Sequence, residues 1–400
     1  MKDLIALGAL FALILILLRK KLPLGPVMLI ATLFLGLCSS FSLSTFLKVT
    51  VTALTDKTTL VLLAFLYLVA LLEKIITTSG KLDRMIAAME RYIPGRRLRL
   101  VIMPAFLGFL ASPGGAMFSA PFVEKASETL GLSGEEKTFI NYWFRHIWEG
   151  FLPLYPATIL AASILDVPLE KFIVRMFPMT VAAVAGGVLF GLIPLKLKKR
   201  EVQGEKAHGR LIDLISGVFP VAAVLILVIV FKLNAALSLL AVVIYEYLAS
   251  RIPLQRLPGI MKKSVSFSIL LAVIAILIFK EALEASSIAP GLSQYLGHLG
   301  IPIPLMFFLI PLVVGFLTGL TQAPVGIAFP LLLGMAPMPE SLDLFCFAFA
   351  CAYAGVLLSP THLCLILTAE YFGVEFTKLY RFLALPVTLL LIAAFLLYVR

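Results

Sequence analysis

Charged residues are scarce in this 400-residue sequence. They make up 14% of it, against 61% hydrophobic residues, where a soluble domain carries about a quarter. No segment is long and polar enough to form a separate soluble domain. The four cysteines, Cys38, Cys346, Cys351 and Cys364, lie in apolar segments without CxxC spacing. That pattern argues against a disulfide framework, and no transition-metal site is expected from it. There is no HExxH, no Walker-type glycine-lysine loop and no GxSxG, so ATP-driven pumping and the common hydrolase chemistries have no motif to rest on. No enzyme and no organic cofactor are expected. A basic folded domain is also missing, so nucleic acid is not an expected partner.

What the sequence does have is apolar runs of about 20 residues along its whole length, the length that crosses a bilayer as a helix. The net charge of +11 is gathered in Arg19-Lys20-Lys21, Arg84–Arg99, Lys196–Arg210 and Arg251–Lys263, all between apolar runs. Cytoplasmic loops carry such an excess, so these four are expected on the cytoplasmic side. The opening run MKDLIALGALFALILILLRKK has its charge after the apolar stretch and no small-residue cleavage site. It reads as a first transmembrane helix rather than a signal peptide. A multi-pass protein of the cytoplasmic (inner) membrane follows, with both termini outside.

The chain resembles itself. MPAFLGFLASPGGAMFSAPFV, from Met103, aligns with IPLVVGFLTGLTQAPVGIAFPLL, from Ile310, and Gly108 pairs with Gly315. LLEKIITTSGKL from Leu71 aligns with IFKEALEASSIA from Ile278. FLPLYPATILAASILDVPLEKF from Phe151 aligns with VLLSPTHLCLILTAEYFGVEFTKL from Val356, with Pro156 opposite Pro360. Three matched blocks in order indicate a duplication. The first repeat covers 1–200, with a hairpin at about 99–130 and a broken helix at about 137–166. The second covers 211–400, with a hairpin at about 304–336 and a broken helix at about 340–373. Residues 196–210 form a cytoplasmic linker. Each hairpin arm (about 99–111 and 116–130, then 304–317 and 325–336) is too short to span roughly 30 Å at about 1.5 Å per residue. The arms therefore read as re-entrant. Five crossings per half, an odd number, would turn the second half over. The expected fold is an all-α polytopic membrane protein of two inverted repeats, each with five transmembrane helices, a re-entrant hairpin and a broken helix.

Irregular backbone at membrane depth is tolerated where it is buried in protein or lines a cavity, and matched interruptions in two halves point to a transporter's binding site. The candidate solute and ion contacts are therefore Ser112, Pro113, Gly114 and Gly115 at the first tip, followed by Ser119. At the second they are Thr318, Gly319, Thr321, Gln322 and Pro324, then Gly326. The broken helices add Pro153, Tyr155, Pro156 and Thr158, and Ser359, Pro360 and Thr361. Free N–H groups at such breaks attract anions, and free carbonyls at the tips and breaks suit Na⁺ as a coupling ion. A second cluster, NYWFRHIWEGF, holds Arg145, His146 and Glu149. Arg145 and Glu149 are spaced i, i+4 and could form a structural ion pair, or Arg145 could face an anion. His146, Glu149 and His362 are candidate proton carriers, with a buried, satisfied histidine as the alternative.

At SPGGAMFSAPF, NYWFRHIWEGFLPLYP and LLSPTHLCLILTAEYF the chain resembles the DUF401 family of prokaryotic membrane proteins, grouped with the ion transporter superfamily. That superfamily includes divalent-anion/sodium symporters, gluconate and citrate permeases and the large subunits of TRAP transporters. The resemblance implies two inverted repeats with hairpins and broken helices, elevator-type alternating access and a homodimer. The Ser-Asn-Thr tip signatures of the dicarboxylate symporters are replaced by Ser-Pro-Gly and Thr-Gln-Ala-Pro. Only the positions carry over: Ser112 and Gly114, and Thr321 and Pro324. The expected function is secondary active transport of a small anionic, carboxylate-type solute coupled to Na⁺ or H⁺. The alternatives are a membrane subunit that needs a periplasmic solute-binding partner, or an intramembrane enzyme.

Overall fold

The computed structural model describes residues 2–20, 22–93, 95–109, 116–128, 130–195, 210–265, 267–286, 301–336, 338 and 340–399. The first tip, Ser112 to Gly115, and most of the 196–210 linker lie outside the described residues. Among those described, the regular structure is helical.

In the first half the helices are α1 (Lys2–Arg19), α2 (Leu24–Cys38), α3 (Leu43–Thr55), α4 (Lys57–Thr78) and α5 (Lys81–Tyr92). They continue with α6 (Arg96–Leu107), α7 (Ala116–Ser127), α8 (Gly134–His146), α9 (Pro156–Ile164) and α10 (Leu169–Gly186, extended by a π-helical turn to Leu192). The second half has α11 (Leu211–Leu225, extended to Val230), α12 (Ala235–Ala249), α13 (Leu257–Ser264), α14 (Phe267–Ala285), α15 (Ile303–Thr318) and α16 (Gln322–Leu333). It ends with α17 (Leu342–Leu358), α18 (Leu363–Tyr371) and α19 (Phe376–Tyr398).

Local chemistry fixes several starts. Asp56 caps α4, its carboxylate accepting from the Thr59 N–H at 2.9 Å. Ser133 and Glu136 form a reciprocal capping box at α8, which satisfies two of the otherwise free N–H groups. Pro324 sits in the first turn of α16, where a missing N–H costs nothing. The second arm therefore begins at Gln322, a little before the 325 expected from the sequence.

Five helical stretches are long and apolar enough to cross a membrane among the described residues, or six if the bent pair α13–α14 is one span. The helices α2 and α12 have 15 residues each, about 22 Å at 1.5 Å per residue, short of a bilayer core of about 30 Å. Burial separates inner from outer helices. The most apolar window of Leu342–Tyr371 is 83% buried, that of Leu211–Val230 only 28%. Exposed apolar residues recur on the outer helices at helical spacing: Val174, Phe177, Val181 and Val184 on α10, and Leu211, Ile215, Phe219, Ile226 and Val230 around α11. Stripes of this extent do not face water, and lipid is their natural solvent. The chain is a multi-pass membrane protein.

Among the described residues, several helices of the second half recur in the order of the first. Helices α6 and α15, α9 and α18, and α10 and α19 start at one common separation, the 207 residues that also divide His146 from Tyr353. Both α6 and α15 contain an internal proline, Pro104 and Pro311. A Cβ on Gly108 would lie 2.2 Å from the Arg145 carbonyl, and one on Gly315 2.4 Å from the Ala352 carbonyl. In each half a bare glycine lets the first hairpin arm lie directly on the first part of the broken helix. The second arms cross over: α16 packs on α9, and α7 on α18.

Candidate functional site

The first break begins where α8 ends, at His146, and runs through 147–155 as turns. Glu149 is therefore off the helix. The i, i+4 geometry expected for Arg145 and Glu149 does not apply, and each turns to the hairpins. Arg145 Nη1 donates to the Leu107 carbonyl at 2.8 Å. Trp148 Nε1 donates to Ala105 O at 2.7 Å, and Tyr155 OH to Gly108 O at 2.6 Å. These oxygens are carbonyls left free at the C-terminal end of α6, the negative end of its dipole. Arg145 thus has a capping task at the first hairpin.

Glu149 reaches the second hairpin. Its Oε1 accepts a hydrogen bond from the Thr321 hydroxyl, and its backbone carbonyl accepts from Thr158 Oγ1 at 2.8 Å. The side chain is 7% exposed. Its other oxygen, Oε2, is buried with no hydrogen-bond partner among the described residues. Thr321 immediately precedes α16 and makes no side-chain cap, because its hydroxyl is spent on Glu149.

The second break spans Ser359 to His362, between α17 and α18. Gly319 comes against it at φ +64°, and a Cβ there would lie 2.6 Å from the His362 nitrogen. Glycine satisfies both demands, the left-handed backbone and the close approach. His362 Nδ1 lies 2.8 Å from the Gly319 carbonyl, and its Nε2 3.1 Å from Nε2 of His146. His146 Nδ1 lies 2.7 Å from the Tyr142 carbonyl, and its own carbonyl accepts from Tyr353 OH at 2.8 Å. The two rings meet at 76° under the Tyr142 ring.

The structure thus brings together Glu149, Thr158, Thr321, Gly319, His146 and His362, from both breaks and the second tip. Others do local work. The Thr318 hydroxyl returns to Val314 O at 2.8 Å. Ser359 and Thr361 bond each other at 2.9 Å, and Thr361 reaches Leu317 O at 3.3 Å. Pro360 is exposed, Pro156 opens α9, Pro324 lies buried in α16, and Gln322 is half-buried. Sequence reasoning missed Tyr142, Tyr353, Trp148 and Asn141. Asn141 Nδ2 donates to Ala116 O at 3.0 Å and to Thr368 Oγ1 at 3.2 Å, joining the two halves. It also missed Cys364, whose sulfur lies within 4.8 Å of ligand nitrogens on both His146 and His362. Cysteine spacing carries no sign of this grouping, because His146 lies 216 residues before His362.

No curated protein matches the sequence. Among solved structures, the YdaH transporter of Alcanivorax borkumensis, described as having an unusual topology, superposes with a TM-score of 0.64 at 14% identity. The match covers 97% of this chain and 98% of that one. The likeness shows a shared fold. A family model described as "Protein of unknown function (DUF401)" matches residues 4–399. The chain belongs to the DUF401 family.

Proposed function

We propose that this protein is a secondary active transporter for a small anionic solute of the carboxylate class, coupled to Na⁺ or H⁺. The observation that carries the reading is Glu149, a buried carboxylate held at one oxygen by Thr321 and, among the described residues, left without a hydrogen-bond partner at the other. A buried charge in that state is costly unless a cation or proton neutralises it. It is the property a coupling site needs, and it joins the first break to the second hairpin. The free carbonyls of the tips and breaks are the further candidates for Na⁺. The N-terminal ends of α9, α16 and α18 open at the breaks and the second tip, and their partial positive charge suits an anion. The solved neighbour with this fold is itself a transporter. The superfamily resemblance supports an elevator-type movement and a homodimer, with the crossed second arms as the moving part.

The test is the melting temperature of the purified protein across mono-, di- and tricarboxylates, sugar acids and inorganic oxyanions, each with Na⁺ or K⁺ at two pH values. A ligand at a hundredfold excess over its Kd stabilises by roughly 2.7 kcal/mol. The expected result is a shift for one class of carboxylate, enlarged by Na⁺ or by lower pH, and lost in Glu149→Gln. A shift with amines and none with acids would overturn the anion assignment.

A further inference from the structure

We propose that His146, His362 and Cys364 form a site for a zinc-class transition-metal ion where the two broken helices meet. The proposal does not depend on what solute is carried.

Both Nδ1 atoms face backbone carbonyls, at 2.7 and 2.8 Å. A carbonyl only accepts, so each Nδ1 carries the ring's hydrogen and each Nε2 of a neutral ring bears a lone pair. The two Nε2 atoms are 3.1 Å apart. Three contacts therefore call for three hydrogens, and two neutral imidazoles supply two. The middle contact is stable with a cation between the nitrogens. An Nδ1–H held by a carbonyl, with Nε2 free to ligate, is the outer-shell arrangement that fixes a metal-binding histidine.

The metric fits as well. Two nitrogens bound to tetrahedral zinc at about 2.0–2.1 Å lie about 3.3 Å apart. Cys364 opens α18 two residues after His362 and is buried. Its sulfur lies within 4.8 Å of a ligand nitrogen on each ring, and binding draws it in, toward the roughly 3.6 Å that tetrahedral Zn–S and Zn–N bonds set. Two imidazoles and a thiolate are a borderline-soft donor set, suited to zinc or copper and unsuited to Na⁺, Mg²⁺ or Ca²⁺, which take oxygen. The site is therefore distinct in chemistry from a Na⁺ site at carbonyls. Three protein donors leave a fourth position for water or an anionic oxygen. On binding, the Cys364 thiol gives its proton to solvent and its sulfur pair to the metal. The ion ties the end of α8 to the second break, and through the Gly319 carbonyl to the second hairpin tip.

The experiment uses the full-length protein in detergent, carrying Cys38→Ser to remove the exposed thiol. It is stripped with a chelator and titrated with Co²⁺ as a spectroscopic stand-in for zinc. The expected result is one cobalt per chain, visible d–d bands of four-coordinate cobalt and a near-ultraviolet thiolate-to-cobalt band, all removed by added Zn²⁺. Cys364→Ser removes the thiolate band and weakens binding while leaving the metal-free melting temperature in place. His362→Gln abolishes stoichiometric binding. A folded protein that takes up neither Co²⁺ nor Zn²⁺ overturns the site, as does a thiolate band that survives Cys364→Ser. A melting temperature that responds to pH and not to Zn²⁺ gives the middle contact to a shared proton, and also overturns it.

Discussion

Gly319 and Glu149 show how much rests on single residues. Gly319→Ala puts a side chain into left-handed backbone and against the His362 nitrogen. The left-handed conformation alone costs roughly 1–2 kcal/mol, so a lowered melting temperature and displacement of His362 are expected. A variant melting like the parent would show that the tip and the break do not touch. Thr321→Ala removes the donor to Glu149 and leaves both carboxylate oxygens without a hydrogen bond, at about 1–3 kcal/mol for an unsatisfied buried group. The expected outcome is a lower melting temperature in Thr321→Ala, partly restored by adding Glu149→Gln. Equal losses that simply add would contradict the contact. At this scale the sequence was only partly legible. Proline and glycine marked Gly319 and the breaks, because backbone conformation is a local property. The partner of Glu149 comes from the other half of the chain, as does the His146 ring that meets His362, and nothing local encodes them. The spacing of Arg145 and Glu149 misled because α8 stops at His146, where side chains of the break cap α6 instead of continuing the helix.

At the scale of elements, the hairpins depend on backbone-to-backbone approach. Gly108→Ala and Gly315→Ala each set a methyl group within 2.4 Å of a carbonyl oxygen on the facing helix, and overpacking of this kind costs about 1–3 kcal/mol. Similar losses from the two substitutions are expected in thermal unfolding. A loss confined to one would contradict the equivalence of the two contacts. Away from the hairpins, Lys81 on α5 and Glu246 on α12 form a 2.6 Å ion pair, with Glu246 1% exposed. Lys81→Met strands that carboxylate at a cost of about 3 kcal/mol, and adding Glu246→Leu recovers most of it, as denaturant titration of both variants would show. The order of elements was readable because apolar run length and interruptions are one-dimensional signals. The short runs of α2 and α12 were readable as well, because Ser39 and Ser40 close the one and Lys232 and Asn234 precede the other.

For the whole molecule, α10 and α19 pack on the deeply buried α17 and keep exposed apolar residues on their outer faces, and the first break lies largely buried among them. That arrangement satisfies the rule that unpaired backbone in a membrane is sheltered by protein. Composition alone indicated it, whereas the meeting of both breaks with the second tip needed the third dimension. The most direct measurement is uptake of radiolabelled carboxylates into proteoliposomes under an imposed Na⁺ or H⁺ gradient, compared with the same vesicles after the gradient is collapsed. Accumulation of one anion above equilibrium that vanishes with the gradient, and vanishes in Glu149→Gln while gradient-free exchange persists, is the expected result. Accumulation that ignores both gradients, or that survives Glu149→Gln unchanged, would contradict a coupled transporter built on that carboxylate.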